Sequence, residues 1–255
     1  MEDTTDRPSY EPELTEPPAP TAHAKFSALQ RLWMIFASPG DVFGDIGLKP
    51  TWILILALFV GLGIAVNLIA LPHIDTEATL MDRLGDRAEG LSEAQIDNMV
   101  EQAEKIGKLT PLFALVIGPI AWAIMAGVFF LMIKMLGSDA DYQRTMSTVL
   151  HAYWPGSVVQ SVLMVALLQR VGRIPQDELT NVVKASVGAF LAADTAPWLK
   201  AIADSISVFN IWAVVLLVVG LRIVGRLSQG KALTAALVPW AIYLAAKAGF
   251  VGLFN

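Results

Sequence analysis

The chain of 255 residues contains no cysteine. Disulfides, thiolate nucleophiles and Cys-based zinc or iron–sulfur sites are therefore excluded, and redox chemistry says nothing of its compartment. Charge is also scarce. Charged residues make up 16% and hydrophobic ones 55%, where a soluble domain is about 25% charged and about 45–50% apolar. Enzymatic signatures are missing: there is no H-E-x-x-H, no G-x-S-x-G and no G-x-x-x-x-G-K-[ST]. The three histidines, His23, His73 and His151, lie far apart and are not spaced as one metal site. No enzymatic activity, cofactor, metal or nucleic-acid partner is expected.

Long apolar stretches take the place of these features. Five stand out: Trp52–Leu71, Pro111–Ile133, Met146–Gln169, Ser205–Leu221 and Ala232–Phe254. A helix needs about 20 predominantly apolar residues to cross the hydrocarbon core. Four of the runs hold no Asp, Glu, Lys or Arg, and the fifth holds only Lys247. A soluble protein would have to cover five helices that are hydrophobic all round, which a chain of this size can hardly do. The sequence predicts an all-α, polytopic membrane protein. Five transmembrane helices are expected, with an N-terminal interfacial amphipathic helix and a short amphipathic helix in each outer loop.

Residues Met1–His23 carry six acids against Arg7, a balance of −5 that equals the whole formal net charge. With five prolines, this segment reads as a disordered acidic tail. It does not read as a signal peptide, so the first span is expected to act as an uncleaved insertion signal. Residues 24–50 read as cytoplasmic interfacial helices. In Ala24–Ala37, the residues Phe26, Leu29, Leu32, Trp33 and Phe36 fall on one face, with Trp33 as an interfacial anchor. Ser38-Pro39-Gly40-Asp41 then carries a capping pattern that starts a second short helix ending at Gly47. Residues 51–255 form the five-span domain.

Between the spans, Ser92 and Gln95 form a capping box that opens an amphipathic helix running toward the second span. The segment Leu80–Leu91 adds a less regular helical piece. Val182 to Leu191 predicts a small amphipathic helix against the bilayer, broken by Asp194 to Pro197. Loops Lys134–Thr145 and Arg222–Lys231 hold five basic residues in 22 positions, and loops Pro72–Thr110 and Arg170–Asp204 hold eight in 74. The denser pair belongs in the cytoplasm. The N-terminus is then cytoplasmic and the C-terminus periplasmic, in an inner membrane.

Polar side chains at membrane depth are the default functional candidates. Here they are Asn67, His151, Tyr153, Gln160 and Asn210. No Asp or Glu lies well inside a run, which weighs against proton-coupled transport. Lys247 should snorkel to the outer surface. Pro119, Pro155 and Pro239 should bend their helices and free backbone carbonyls. A second candidate set, a lipid- or partner-binding face, comprises Arg31, Trp33, Arg222, Arg226 and Lys231.

The order of several short motifs resembles the Yip family, the Ypt/Rab-interacting-protein membrane domain of eukaryotes and many bacteria. The resemblance runs from about Leu32 to Phe254. Its first part is Phe36 to Phe43 (FASPGDVF), followed by Lys49-Pro50-Thr51-Trp52. Ala152-Tyr153-Trp154-Pro155 is the second. The third is Phe209-Asn210-Ile211-Trp212, with Gly220-Leu221 and Ser228 to Ala232. It implies a five-helix membrane domain with a cytoplasmic N-terminus. Eukaryotic members are tied to Rab GTPases and vesicle traffic, whereas the acidic leader and outer-loop helix here look more like the bacterial type. The expected function is a non-enzymatic, membrane-organising protein that binds lipids or other membrane proteins. The alternative is a small-solute transporter or channel.

Membrane embedding has a direct check. Alkaline carbonate without detergent should leave the chain in the membrane pellet, and intact chain in the supernatant would contradict the five-span reading.

Overall fold

A computed structural model describes residues 23–192 and 194–254, so the predicted acidic tail lies outside the described residues except for His23. Nine α-helices are present among the described residues. They are α1 (Ala28–Ala37), α2 (Pro39–Leu48), α3 (Trp52–Ala70), α4 (Thr76–Leu84), α5 (Glu93–Met135), α6 (Tyr142–Leu168), α7 (Pro197–Ser205), α8 (Val208–Val224) and α9 (Gln229–Phe254). The described residues contain no strand, only two isolated bridges.

Four helices, α3, α5, α6 and α9, are long and apolar enough to cross a membrane. The fifth, α8, has 17 residues, about 25 Å at 1.5 Å per residue, the lower bound for a span. It starts three residues later than the sequence predicts, because Ser207 caps it by accepting a hydrogen bond from the Asn210 N–H at 3.1 Å. Short α8 has the largest share of buried residues among the five spans. It packs on α2, α6 and α9 and buries Phe209, Ala213, Leu216, Leu217 and Leu221. Helices α3 and α5 pack against α6 on its other side, and the longer helices turn large side chains outward: Ile117, Ile124, Leu131 and Leu253 are all more than half exposed. That outer surface is what a helix bundle solvated by acyl chains presents.

Successive spans alternate in direction. One end, termed proximal, gathers α1, α2 and the turns 136–141 and 225–228. The opposite, distal end gathers α4, the start of α5, the connection 169–207 and the end of α9. Phe59 of α3, Trp122 of α5, and Trp154 and Tyr153 of α6 fill the middle. Phe59 lies 4.4 Å from Trp122 and 5.3 Å from Trp154 between ring centroids, and Trp122 lies 5.6 Å from Tyr153.

Three features differ from the sequence reading. The Ser92 capping box is present, but the helix it opens does not stop before the membrane. It continues as α5 for 43 residues, about 65 Å. Pro111 and Pro119 lie within it, as Pro155 lies within α6 and Pro239 within α9, and all of these helices run on unbroken. In the second outer connection, 182–191 forms only a short 3₁₀ turn at Val187–Phe190. The α-helix there is α7, which begins at Pro197, the residue expected to end one. Proline at a first helical position costs nothing, since that N–H has no intrahelical acceptor. Finally, Ser38 makes no side-chain cap. The capping box of this region belongs to Ser27 and Gln30 at the start of α1.

Helices α2, α6 and α8 approach one another closely at Gly220. A Cβ there would lie 2.6 Å from Thr148 Cγ2 and 2.8 Å from Phe43 Cε1. The missing side chain lets α2, α6 and α8 meet at one point. Gly220→Ala should therefore destabilise the protein by about 1–3 kcal/mol. Thermal unfolding of the purified protein in detergent reads this, and an unchanged midpoint would contradict the packing.

Candidate functional site

The proximal end is organised by charge inside an apolar elbow. On α1 the buried stripe is Arg31, Leu32 and Ile35. On α2 it is Val42, Phe43, Asp45 and Ile46. Arg31 and Asp45 face each other across the elbow, 1% and 3% exposed. Their closest approach is 3.8 Å, from Arg31 Nε to Asp45 Oδ2, and Nε has no hydrogen-bond partner. The carboxylate accepts instead from the backbone N–H groups of Lys25 at 2.8 Å and Phe26 at 2.7 Å. Arg31 Nη1 donates to the Lys49 carbonyl at 2.6 Å and to Thr51 Oγ1 at 3.1 Å. Burial pulls the Arg31 guanidinium below its ordinary pKa while Asp45 pulls it up, and it stays charged.

The network continues into the bundle. Thr51 N–H donates to Ser147 Oγ at 3.2 Å. His151, one turn along α6 and 1% exposed, lies 2.7 Å through Nδ1 from the Ser147 carbonyl. A carbonyl only accepts, so Nδ1 carries the proton. At the rim, Lys25 Nζ pairs with Asp41 at 2.7 Å, and that hydrogen bond and charge hold the ammonium above its ordinary pKa. Arg144 pairs with Asp141 and donates from Nε to the Gly47 carbonyl at 2.8 Å.

Outside this network, α1 shows lipid or solvent a second apolar face. Leu29 is 61% exposed and Trp33 74%, while Phe36 stacks edge-on against Trp212 at 5.7 Å. The expected single face is thus divided. Leu32 points inward, and Leu29, Trp33 and Phe36 lie outward.

Beside α1 and α2, the turn from α8 to α9 is basic and exposed. Arg222 Nη1 is 3.4 Å from Gln229 Oε1, and Lys231 Nζ donates to the Leu136 carbonyl at the end of α5 at 2.8 Å. Arg226 has φ of 52°, a left-handed conformation that non-glycine residues rarely adopt. It lines a cavity of about 340 Å³ between α2, the α5–α6 turn and the end of α8, together with Arg144, Asp139, Gly44 and Gly47.

A Yip1 domain matches residues 33–249. The chain belongs to the Yip1 domain family. The match spans the elbow, the whole bundle and the basic turn. No curated protein matches the chain, and no solved structure does.

Within this Yip1 domain the two candidate sets fare differently. Trp33, Arg222, Arg226 and Lys231 are exposed at the proximal end. Arg31 is not on that face: its guanidinium is enclosed by the elbow, where its acceptors are. The five intramembrane polar residues do not converge. His151 is proximal and buried. Tyr153 belongs to the aromatic cluster, Gln160 is exposed, and Asn210 is spent on the Ser205 carbonyl at 2.9 Å. Asn67 lies at the distal end, donating to the Gly63 carbonyl at 2.9 Å. Lys247 reaches the distal end as well and donates to Ser205 Oγ at 2.8 Å.

Sequence reasoning missed Asp45, Thr51 and Ser147. A signal for Asp45 existed, since an acid between Val42 and Ile46 falls on the apolar face of α2. Thr51 and Ser147 gave none.

Asp45→Ala strips the buried guanidinium of its counter-charge and should cost about 3–5 kcal/mol. Arg31→Met leaves Asp45 its two N–H donors and should cost clearly less. Denaturation of both variants in detergent tests this, and equal losses would contradict the asymmetry.

Proposed function

We propose that this Yip1 domain is a non-enzymatic membrane-organising protein whose proximal end is cytoplasmic and gathers anionic lipid headgroups or the acidic surface of a membrane partner. The observation that carries the reading is the proximal surface itself. Trp33 and Leu29 are exposed on α1, and the cations Arg222, Arg226 and Lys231 are exposed on the α8–α9 turn, which adjoins α2. Exposed amphipathic aromatic and basic groups at the end of a bundle are what a headgroup layer attracts, at about 1 kcal/mol per cation near the surface.

Arg226 is central to it. It has no hydrogen-bond or ion-pair partner among the described residues, it borders a cavity of about 340 Å³, and its backbone is held left-handed. Strain of this kind gathers at functional positions. Cytoplasmic placement of this end follows from the density of Lys and Arg in its loops. Transport is the weaker reading, because aromatic rings fill the middle of the bundle and the polar candidates are scattered along it.

The absence of cysteine makes the test clean. Single cysteines at Ser228 and Glu89 should be labelled by an impermeant maleimide from opposite sides of the membrane, Ser228→Cys only from the cytoplasm. Arg222→Gln, Arg226→Gln and Lys231→Gln combined should weaken association of the detergent-purified protein with anionic liposomes, or invert the labelling. Unchanged binding together with unchanged sidedness would refute the proposal.

A further inference from the structure

A second and larger cavity, about 600 Å³, opens at the distal end where α3, α4 and α5 meet the chain around Arg173. Its frame is built from backbone. The Asp75 N–H donates to the Ile174 carbonyl at 2.8 Å, and the Ile174 N–H to the His73 carbonyl at 2.9 Å. The Gln176 N–H donates to Thr79 Oγ1 at 2.9 Å. Arg173 donates to the Ile74 carbonyl from Nε and Nη2 at 3.2 and 3.1 Å, and Arg83 lies 3.4 Å from Gln176 Oε1. Two arginines far apart in sequence are thereby fixed on one wall. Lys108 of α5 supplies a third cation to the lining. Lys108 has no partner among the described residues, whereas Lys105 nearby is paired with Glu101 at 2.7 Å.

Charge is sorted at this cavity. The segment Pro72–Thr110 holds nine acids and four bases. Of these, only one acid, Glu104, lines the cavity, against two bases, and Arg173 joins them. Two of the four bases of this acidic segment thus line the cavity, and eight of its nine acids do not. The remaining lining combines the polar side chains of Asn67, Thr76, Thr79, Thr110 and Gln176 with the apolar ones of Leu71, Ile74, Leu80 and Ile106. The height in the membrane is also defined. Lys108 is the last charge on α5 before the run from Pro111 to Ile133, so it stands where acyl chains give way to headgroups. Pro111 has no N–H to give the Gly107 carbonyl, and both residues line the cavity.

We infer that the distal cavity binds one anionic phospholipid, its phosphate held by Arg83, Lys108 and Arg173 and its acyl chains along Leu71 and Ile106. The volume suits a headgroup with the first part of its tails. Cations from three segments line one cavity at headgroup height, and apolar side chains share its lining. The site is separate from the proximal basic turn and does not depend on which compartment either end faces.

The test is native mass spectrometry of the full chain in detergent with three probes. They are dioleoylphosphatidylglycerol, dioleoylphosphatidylcholine with the same tails, and glycerol 1-phosphate, which is the head alone. One phosphatidylglycerol should be retained in preference to phosphatidylcholine, and glycerol phosphate should not compete. Arg83→Gln, Lys108→Gln and Arg173→Gln combined should weaken that retention about a hundredfold. Because Arg173 also braces Ile74, Lys108→Gln alone serves as the conservative variant and should weaken it about fivefold. The proximal triple variant should leave it unchanged, which separates this site from the proposed proximal one. Equal retention of the two lipids, displacement by glycerol phosphate, or undiminished retention in Lys108→Gln would each overturn the inference.

Discussion

Two opposite charges enclosed where no water reaches them determine the shape of the proximal end. Each ion taken from water costs several kcal/mol, and a contact of 3.8 Å between Arg31 and Asp45 does not by itself return that. The balance comes from the four hydrogen bonds around the pair, from Lys25 and Phe26 to the carboxylate and from the guanidinium to Lys49 and Thr51. Each of those partners sits at the start or end of a helix. Satisfying the charges therefore fixes where α1 begins, how α2 turns back, and where α3 leaves for the membrane. An apolar pair of equal volume would bury as well and tolerate several crossing angles, whereas a carboxylate that must meet two N–H donors tolerates few.

Beyond the elbow, the bundle is held by close approach. Helix α8 meets α2 and α6 at Gly220, and α9 packs with Ala232, Ala235 and Ala236 buried. In lipid there is no hydrophobic drive to associate, so small residues that admit backbone to backbone do much of the work. The distal end uses a different device. Its second connection, 169–207, lacks a long regular element and is tied by backbone hydrogen bonds, such as Val187 N–H to the Ile206 carbonyl at 2.9 Å and Val208 N–H to the Ala185 carbonyl at 3.1 Å. The two ends are thus built differently: side-chain charge at one, backbone bridging around a cavity at the other.

The helices were legible because lipid imposes a simple demand, a long run of apolar residues, and each span of the fold falls on such a run. The elbow helices were legible from Pro39 and the amphipathic pattern, and the Ser92 cap from its box. What failed to read depended on tertiary partners. Arg31 looks like a surface base until Asp45, 14 residues later, is placed opposite it. Ser38 and Ser27 carry equally good capping signals, and only packing decides that Ser27 uses its own. Pro197 was read as a break and starts a helix. The distal cavity was invisible because its cations come from three separate segments, two of them, around Arg83 and Lys108, within an acidic stretch and the third, around Arg173, in a charge-balanced one.

The unbroken α5 has a mechanical consequence. Residues Glu93 to Thr110 extend it about 27 Å past the first residue of its apolar run. The helix is continuous across the bilayer surface, with a backbone hydrogen bond missing at Pro111, so the direction of its projecting half is tied through that point to the packing of its buried half against α3 and α6. The projecting half carries Asp97, Glu101 and Glu104. A macromolecule arriving from that side meets this acidic mast before it meets lipid, and the mast sets how near it comes.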